Sequence, residues 1–166
     1  MSDMARSKGP LGRLTSAVEP PRPGTPLFRA WTVLADLNTF MYRKSGGRIG
    51  GSMDRAPVLL LHHKGARSGQ ERVAPLLYLD DGDDLVIVAS YGGAPKNPAW
   101  LHNLRAHPDT TVEVGRERRA VTAREATAQE RERLWPALLD LYPAYADYQA
   151  RTERQIPLVV LSARPA

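Results

Sequence analysis

The stretch GARSGQER, residues 65–72, carries residue types that bind anions. Turns rich in Gly and Ser expose backbone N–H groups, which form a concavity for negative charge. Arg67 and Arg72 flank this turn, and a guanidinium makes paired hydrogen bonds with phosphate or carboxylate groups. The stretch lacks the glycine spacing of nucleotide-binding loops, so a solvated hairpin turn is an equal interpretation of the pattern alone.

A second polar turn, SYGGAPKN at residues 90–97, is suited to receive a flat ring. Gly92 and Gly93 have no Cβ atoms, so the main chain at these positions can approach a ligand closely. Lys96 supplies a cation within the same turn. Together with the first turn, this composition predicts a site for a planar, phosphate-bearing ligand, and a flexible connection is the alternative.

Aromatic residues after the two turns could form walls of a site for a planar ligand. Tyr142, Tyr145 and Tyr148 recur every third residue and therefore share one flank of a helix. A buried phenol needs a hydrogen-bond partner, so these residues predict a wall for a polar aromatic substrate and a source of protons. A helix with its phenol tips in water is the alternative. Trp100 can form the floor of a ring pocket, although an isolated Trp is more often a core residue.

The residue inventory argues against several other chemistries. The 166-residue chain has no Cys, which excludes disulfides, a thiolate nucleophile and cysteine-ligated metal centres. The 4 His residues show no ligand spacing, so no metal site is predicted. Ser68 and Ser90 lie in no nucleophile elbow, which disfavours a serine hydrolase. The net charge of +5 is spread over mixed Arg and Glu residues, so no nucleic-acid partner is predicted.

The elements that must position these residues begin after a polar segment. Residues 1–26 are rich in Pro, Gly, Ser and Arg, which predicts a flexible N-terminal arm. Residues 27–42 carry apolar side chains at helical spacing and predict an amphipathic helix that is too short to span a bilayer. Two interpretations of this helix stay open: it packs on its own domain, or it makes peripheral contact with an anionic membrane.

Short apolar strands separated by polar turns make up much of the remaining chain. Strands are predicted at residues 57–63, 72–79, 85–89, 111–114, 118–124 and 156–161. Helices are predicted after Asn97 as an N-cap, after the capping box of Thr127 and Glu130, and from Pro143 to about Thr152. Because most strand connections are short, we expect a mainly β fold with helices (α+β) built on an antiparallel sheet or barrel.

Three ordered blocks of the sequence resemble the deazaflavin-dependent nitroreductase family, the split β-barrel reductases that use reduced coenzyme F-420. The likeness extends over roughly residues 27–162, and its blocks are GARSGQERVAPL at 65–76, ASYGGAPKNPAWLHNL at 89–104 and YPAYADYQARTERQIP at 142–157. The resemblance implies a single domain over residues 27–166. Its fold would be a six-stranded antiparallel split β-barrel like that of FMN-binding proteins, with a deazaflavin in a groove along the barrel.

The resemblance also implies roles for individual residues. The cofactor phosphate and acidic tail would be held by Arg67, Ser68, Gln70 and Arg72. The tricyclic ring would be lined by Ala74, Pro75 and Leu76, and the ring or the phosphate would be contacted by the main chain of Ala89, Ser90, Tyr91 and Gly92. The pocket would be closed by Asn97, Trp100, Asn103 and Leu104. The catalytic residues on the substrate side would be Tyr142, Tyr145 and Tyr148.

The predicted function is hydride transfer from reduced F-420 to a quinone-like, nitroaromatic or other electron-poor conjugated acceptor. In such an enzyme the cofactor does the hydride chemistry, and the protein supplies position and electrostatics. The alternatives are the same barrel with FMN as cofactor, or a module that binds F-420, flavin, haem or lipid without turnover. We also expect a small-molecule electron acceptor and a homodimer. The expected location is the cytoplasm, with peripheral contact at the inner face of the membrane.

Overall fold

The computed structural model describes residues 24–53 and 55–165, excluding the side chains of Trp31 and Thr32. Most of the predicted 1–26 arm lies outside the described residues. The strands are β1 Ser52–Met53, β2 Ala56–Lys64, β3 Glu71–Asp81, β4 Asp84–Val88, β5 Asp109–Val114, β6 Glu117–Glu125 and β7 Leu158–Ala163. The helices are α1 Pro26–Ser45, α2 Ala99–Ala106, α3 Ala128–Leu141 and α4 Ala144–Ala150, and a 3₁₀ turn spans Tyr91–Gly93.

The strands form a closed antiparallel barrel. Hydrogen bonding follows the order β2-β3-β4-β7-β6-β5, and a further pairing of β2 with β5 closes the ring. The short β1 pairs only with β2, outside the closed ring. The predicted antiparallel barrel of six strands with surrounding helices is confirmed. The last strand begins at Leu158 rather than at 156, because the Ile156 N–H donates to the side chain of Gln149 instead of to a strand.

Alternating side chains of the barrel strands build two apolar clusters. The interior cluster receives residues from all the barrel strands, including Leu61, Ile87 and Val112, and is joined by Trp100 of α2. The outer cluster lies between one side of the barrel and the helices, and includes Leu60, Leu77, Leu138 and the tyrosines of the third sequence block. Side chains along β3 alternate between the clusters, because Ala74 and Leu76 face the interior cluster and Leu77 the outer one.

Strand direction places both polar turns at one end of the barrel. Because β2, β3 and β4 are successive antiparallel neighbours, the end of β2, the start of β3 and the end of β4 lie together. β7 pairs antiparallel with β4, so the segment that enters β7 lies at this end as well. We call this the turn end of the barrel. The hairpin of residues 115–116, between β5 and β6, lies at the opposite end.

A gap opens in the barrel wall at the turn end. β3 pairs with β2 from Glu71 to Leu77, but with β4 only from Tyr78 to Asp81. One edge of residues 71–77 therefore has no strand partner within the described part of the chain. Pro75 lies in this half of β3 and is exposed, as expected for a residue that cannot donate to a ladder and is confined to edges.

Helix α1 is attached to the barrel chiefly through its last turn. The hydroxyl of Tyr42 is buried, donates to the carbonyl oxygen of Val58 over 3.0 Å and accepts from the N–H of Gly115 over 2.7 Å. The Arg43 guanidinium contacts the Glu113 carboxylate at 2.6 Å, and His62 Nε2 lies 2.6 Å from the same carboxylate. The helix that was predicted over 27–42 is confirmed and extends to Ser45.

Candidate functional site

The first turn is closed by its own backbone. The Gly65 N–H donates to the Gln70 carbonyl over 2.8 Å, and the Gly69 N–H donates to the Gly65 carbonyl over 2.9 Å. Gly69 has a φ of 66°, a left-handed conformation that glycine adopts without steric cost. The side chains of Arg67, Ser68, Gln70 and Arg72 all project from this turn and are exposed. Within the described residues, neither Arg67 nor Arg72 forms an ion pair.

A buried polar pair fastens the first turn to α2. Asn103 Oδ1 accepts from the Ala66 N–H over 2.9 Å, and Asn103 Nδ2 lies 2.9 Å from His63 Nδ1. Burial, then the charges of Arg72 and His62, lower the pKa of His63 to about 4, so the ring is neutral near pH 7 and Nδ1 can accept this bond. Asn103 does lie at the predicted site, but both ends of its amide are engaged by the protein.

The second turn has a strained backbone. Tyr91, Gly92 and Gly93 have φ values of 46°, 63° and 82°, all in the left-handed region. A Cβ atom at Gly93 would lie 2.5 Å from the main-chain oxygen of Tyr148, so the turn packs directly against the backbone of α4. For a bulky residue such as Tyr91 this conformation is a genuine outlier, and such outliers persist where surrounding contacts enforce them.

Arg154 supplies contacts that enforce this backbone. Its guanidinium donates to the carbonyl oxygens of Ala94 over 2.8 Å, Ser90 over 2.9 Å and Ala89 over 3.2 Å. It also donates to Asn97 Oδ1 over 2.9 Å. Sequence analysis gave Arg154 no role, although it lies in the third block of the resemblance. No local pattern marks it, because its partners lie 57 to 65 residues away in the chain.

The predicted start of α2 is wrong in one detail. Pro98 is the N-cap residue of the helix, and Asn97 makes no capping bond because its side-chain oxygen accepts from Arg154. Trp100 and Leu104 are buried in the interior cluster, so the core interpretation of Trp100 fits the structure. The described main chain nevertheless brings Asn97, Trp100 and Asn103 to the turn end, with both turns.

The tyrosines of the third block form a packed cluster rather than a solvated flank. Tyr142, Tyr145 and Tyr148 are only 5%, 4% and 6% exposed, so the alternative with phenol tips in water is wrong. The Tyr142 and Tyr148 hydroxyls lie 3.5 Å apart, and burial raises the pKa of Tyr145 far above its usual value. The cluster belongs to the outer core, so the barrel wall separates it from Ala74, Leu76 and Trp100.

A link between the tyrosine cluster and the second turn nevertheless exists. The Arg151 guanidinium lies 5.5 Å from the centroid of the Tyr148 ring and 3.4 Å from the Gly92 carbonyl oxygen. Together with the close approach of Gly93 to Tyr148, these contacts join α4 to residues 92 and 93. The structure therefore brings the two turns and α2 to one end of the barrel, with the tyrosines behind the second turn.

A closed six-stranded antiparallel barrel with surrounding helices places the chain in the split-barrel class, and two exposed guanidiniums lie beside the gap in its wall. The sequence profile of the F420H(2)-dependent quinone reductases matches residues 35–163. The chain belongs to the F420H(2)-dependent quinone reductase family. The resemblance inferred from the three sequence blocks is confirmed, and the cofactor of this family is coenzyme F-420.

Individual relatives agree with this assignment. The F420H(2)-dependent quinone reductase Rv1261c of Mycobacterium tuberculosis (strain ATCC 25618 / H37Rv) is 44% identical over 135 residues, which cover 79% of this chain and 91% of that protein. The solved structure of an F420-H2 dependent reductase, FDR-A, has a TM-score of 0.60 and 38% identity, covering 64% of this chain and 94% of that one. A structure described as a domain-swapped dimer has a TM-score of 0.62 and 32% identity, covering 81% and 98%.

Three features of the turn end fit a planar anionic cofactor. Two exposed guanidiniums, those of Arg67 and Arg72, are available for acidic groups. The unpaired edge of residues 71–77 offers main-chain polar groups and small side chains to a ring. The N–H of Ser90 has no acceptor among the described residues. No group of three or more His, Asp or Glu side chains within 24–53 and 55–165 is arranged to hold a metal ion.

Proposed function

We propose that this chain transfers a hydride from reduced F-420 to a quinone-like or other electron-poor conjugated acceptor, with the cofactor at the turn end of the barrel. The observation that carries this proposal is the juxtaposition of two exposed guanidiniums, the gap between β3 and β4, and the strained second turn. When bound, F-420 supplies a hydride carrier. The protein residues bind and orient it.

The anionic part of F-420 matches the first turn. The cofactor has a phosphodiester and a glutamate tail, and Arg67 and Arg72 can form charge-assisted hydrogen bonds with such groups. Ser68 and Gln70 project from the same turn and add hydroxyl and amide donors. Since the side chains of this turn are exposed and its backbone is internally bonded, the turn can accept a ligand without first rearranging.

The ring of F-420 matches the gap beside β3. Ala74 and Leu76 lie on the interior side of the strand and Pro75 is exposed, so these small and apolar side chains can contact a flat ring. Ala89 and Ser90 follow β4 across the gap, and the Ser90 N–H can donate to a polar atom of the cofactor. These residues would hold the ring while leaving one of its faces to the acceptor.

Tyr142, Tyr145 and Tyr148 are proposed to serve the acceptor side through hydrogen bonding. Burial raises the pKa of the Tyr145 phenol, which therefore stays protonated at neutral pH and can donate to a carbonyl oxygen that gains negative charge. The burial of all three tyrosines means that they support the wall behind the second turn in the structure as it stands. Solvent can provide the proton if no phenol reaches the acceptor.

Titration of the purified protein with F-420 and FMN in parallel tests this proposal. We expect micromolar F-420 to change its fluorescence on binding, and FMN to bind more weakly because it lacks the glutamate tail. Reduced F-420 should then be oxidised by a soluble quinone only in the presence of the protein. Tighter binding of FMN than of F-420 would contradict the cofactor assignment. Binding of reduced F-420 without its oxidation by any of a panel of quinones and nitroaromatics would show that the chain is a binding module and not a reductase.

We further propose a cytoplasmic location in which α1 docks on the anionic inner membrane face. Five apolar side chains of α1 are 54–69% exposed, and we call them the apolar face: Leu27, Val33, Leu34, Leu37 and Phe40. Lys44 Nζ lies 5.7 Å from the centroid of the Phe40 ring, and Arg48 is exposed nearby along the chain. Apolar side chains beside cations favour an anionic lipid surface. Within the described residues, no helix is long and apolar enough to cross a membrane.

Vesicle sedimentation tests the membrane proposal. The protein should sediment with vesicles that contain phosphatidylglycerol, should sediment less with phosphatidylcholine alone, and should lose binding on Leu34→Glu. A second copy of the chain is the competing occupant of the apolar face, since a relative forms a domain-swapped dimer. Light scattering that shows a dimer converted to a monomer by Leu34→Glu, without vesicle binding, would replace the membrane with a homodimer.

A further inference from the structure

We propose that Arg154 is a positioning residue that orients the second turn to receive the cofactor. The identity of the ligand rests on the proposed function, whereas the role of Arg154 in fixing the turn rests on the geometry alone. The observation behind this inference is one guanidinium bonded to both ends of a turn that lies 57 to 65 residues away in the chain.

The contacts of Arg154 span the whole turn. Nη1 donates to the Ala89 carbonyl and to Asn97 Oδ1, at the two ends of the segment. Nη2 donates to the Ser90 carbonyl over 2.9 Å, and Nε donates to the Ala94 carbonyl over 2.8 Å. Each bond has a charged donor and is therefore stronger than a bond between neutral groups. Because the guanidinium group is planar and rigid, its hydrogen bonds fix the positions of the acceptors relative to one another.

These bonds determine which way the amide groups of the turn point. In a planar trans peptide the C=O and N–H groups point in opposite directions, and no described peptide bond is cis. The Ala89 carbonyl points at Arg154, so the Ser90 N–H points away from it. That N–H has no acceptor in the described part of the protein, and it lies beside the gap in the barrel wall. Arg154 therefore presents this donor to a ligand.

Arg154 also explains how a strained backbone persists. Tyr91 has a φ of 46°, which a bulky residue rarely adopts, whereas Gly92 and Gly93 adopt their positive φ values without steric cost. The bonds to the Ser90 and Ala94 carbonyls hold the turn immediately before and after these residues. The turn is thus organised before any ligand arrives, which lowers the entropic cost of binding.

The backbone of Arg154 is held in turn by α4. Gln149 Nε2 donates to the Arg154 carbonyl over 2.8 Å, and Gln149 Oε1 accepts from the Ile156 N–H over 3.0 Å. Arg131 Nη2 donates to the same oxygen of Gln149 over 3.3 Å. The guanidinium of Arg154 therefore extends from a segment with fixed ends, which allows it to act as a template for the turn.

A simpler role for Arg154 is a positive charge that attracts an anionic cofactor. Lysine separates the two roles, because its ammonium keeps the charge but is a single point donor that cannot reach all of these acceptors at once. Arg154→Lys is therefore the central variant. Arg133→Lys is the matched control, since Arg133 forms a forked pair with Asp81 on the exposed surface, at the β3–β4 hairpin and away from the turn end.

Hydrogen exchange of the protein without ligand tests the positioning role directly. The N–H groups of Gly93 and Ala94 donate to carbonyls within the turn. In Arg154→Lys their exchange should be at least about 10-fold faster, whereas core amides such as that of Leu60 should be unchanged; the control should match the wild type. Unchanged exchange at both turn amides would overturn the inference. If Arg154→Lys does not fold, Asn97→Ala removes one acceptor and should speed this exchange, and no change there would also overturn it.

Binding of F-420 tests the consequence for the cofactor. Arg154→Lys should weaken F-420 binding about 10- to 100-fold and leave the KM for a soluble quinone unchanged at saturating cofactor, while Arg133→Lys should bind normally. Full affinity in Arg154→Lys would reduce Arg154 to a source of charge and overturn the positioning role. If the wild type does not bind F-420, the proposed function fails, and the exchange measurement alone then decides whether Arg154 fixes the turn.

Discussion

The two turns at the same end of the barrel are held in different ways. The first is closed by bonds between residues 65, 69 and 70, and among the described residues only the amide of Asn103 bonds to it from another element. The second has a strained backbone that depends on Arg154 and on the packing of Gly93 against Tyr148. A turn that is closed by hydrogen bonds of its own backbone leaves its side chains available for a ligand. A strained turn instead requires contacts from residues distant in the sequence to keep its conformation.

The largest expected effect comes from filling the space behind the second turn. Gly93→Ala would place a Cβ 2.5 Å from the Tyr148 carbonyl oxygen at a φ of 82°. We expect the free energy of unfolding to fall by about 4 kcal/mol, from a left-handed residue and a steric clash. Gly82→Ala is the control, because its φ is 70° and no atom lies within 4 Å; it should lose only about 1 kcal/mol. Equal losses in urea unfolding would contradict the close packing of the second turn.

Removal of the one external support of the first turn should have the next largest effect. Asn103→Ala leaves the Ala66 N–H and His63 Nδ1 without their partner. We expect a loss of about 2 kcal/mol in the free energy of unfolding, since His63 is buried and an unsatisfied buried group costs about 1–3 kcal/mol, whereas Ala66 is exposed and its N–H can bond to water. Asn38→Ala, on the exposed surface of α1, should change stability by less than about 0.5 kcal/mol. A loss no greater than that of Asn38→Ala would show that the first turn does not need Asn103.

Loss of a free side chain from the first turn should affect binding but not folding. Arg67→Ala should weaken F-420 binding by about 2 kcal/mol, the cost of a charge-assisted contact, with urea unfolding unchanged. Arg118→Ala is the matched control, because Arg118 is also exposed but lies near the hairpin at the opposite end of the barrel. Equal F-420 affinities of the two variants, measured by fluorescence titration, would remove Arg67 from the site.

Acid should loosen the first turn and leave the second intact. The pKa of His63 is lowered to about 4 in the folded state, so the unfolded chain binds the proton more readily. The contribution of His63 to stability is therefore fully present above the unfolded pKa and is lost as pH falls from about 6.5 towards 4. Between pH 7 and pH 5 we expect a loss of about 1–2 kcal/mol that is absent in His63→Gln. Arg154 stays charged throughout. Identical pH profiles of urea unfolding for the two proteins would contradict this difference.

Local sequence patterns predicted most of the fold. The short connections between strands predicted the antiparallel architecture, and the capping box of Thr127 and Glu130 predicted the start of α3. The polar composition of both turns predicted a ligand site, and the structure brings the two turns to one end of the barrel. The family resemblance added the cofactor and the reductase class, which composition and periodicity do not carry.

Side-chain partners inside the site were less predictable. Asn97 has the sequence context of a helix cap, yet its side-chain oxygen accepts a hydrogen bond from Arg154 and does not cap α2. A half-buried guanidinium requires hydrogen-bond acceptors, and Asn97 supplies one of them. The predicted shared helix flank is correct for Tyr145 and Tyr148 but wrong for Tyr142, which is the non-helical residue that ends α3. Spacing also does not show which side of the barrel wall these side chains cover. His63 and Asn103 gave no pattern at all, since they meet across 40 residues of chain.

The sequence by itself determined the strands, the turns and the candidate anion-binding residues, because these depend on neighbours a few positions apart. It also determined the family, because three ordered blocks carry that information together. Only the tertiary structure decided that Arg154 reaches the second turn, that Asn103 holds the first, and that the tyrosines lie behind the wall. Such contacts depend on how a closed barrel brings distant segments to one end, which local spacing does not encode.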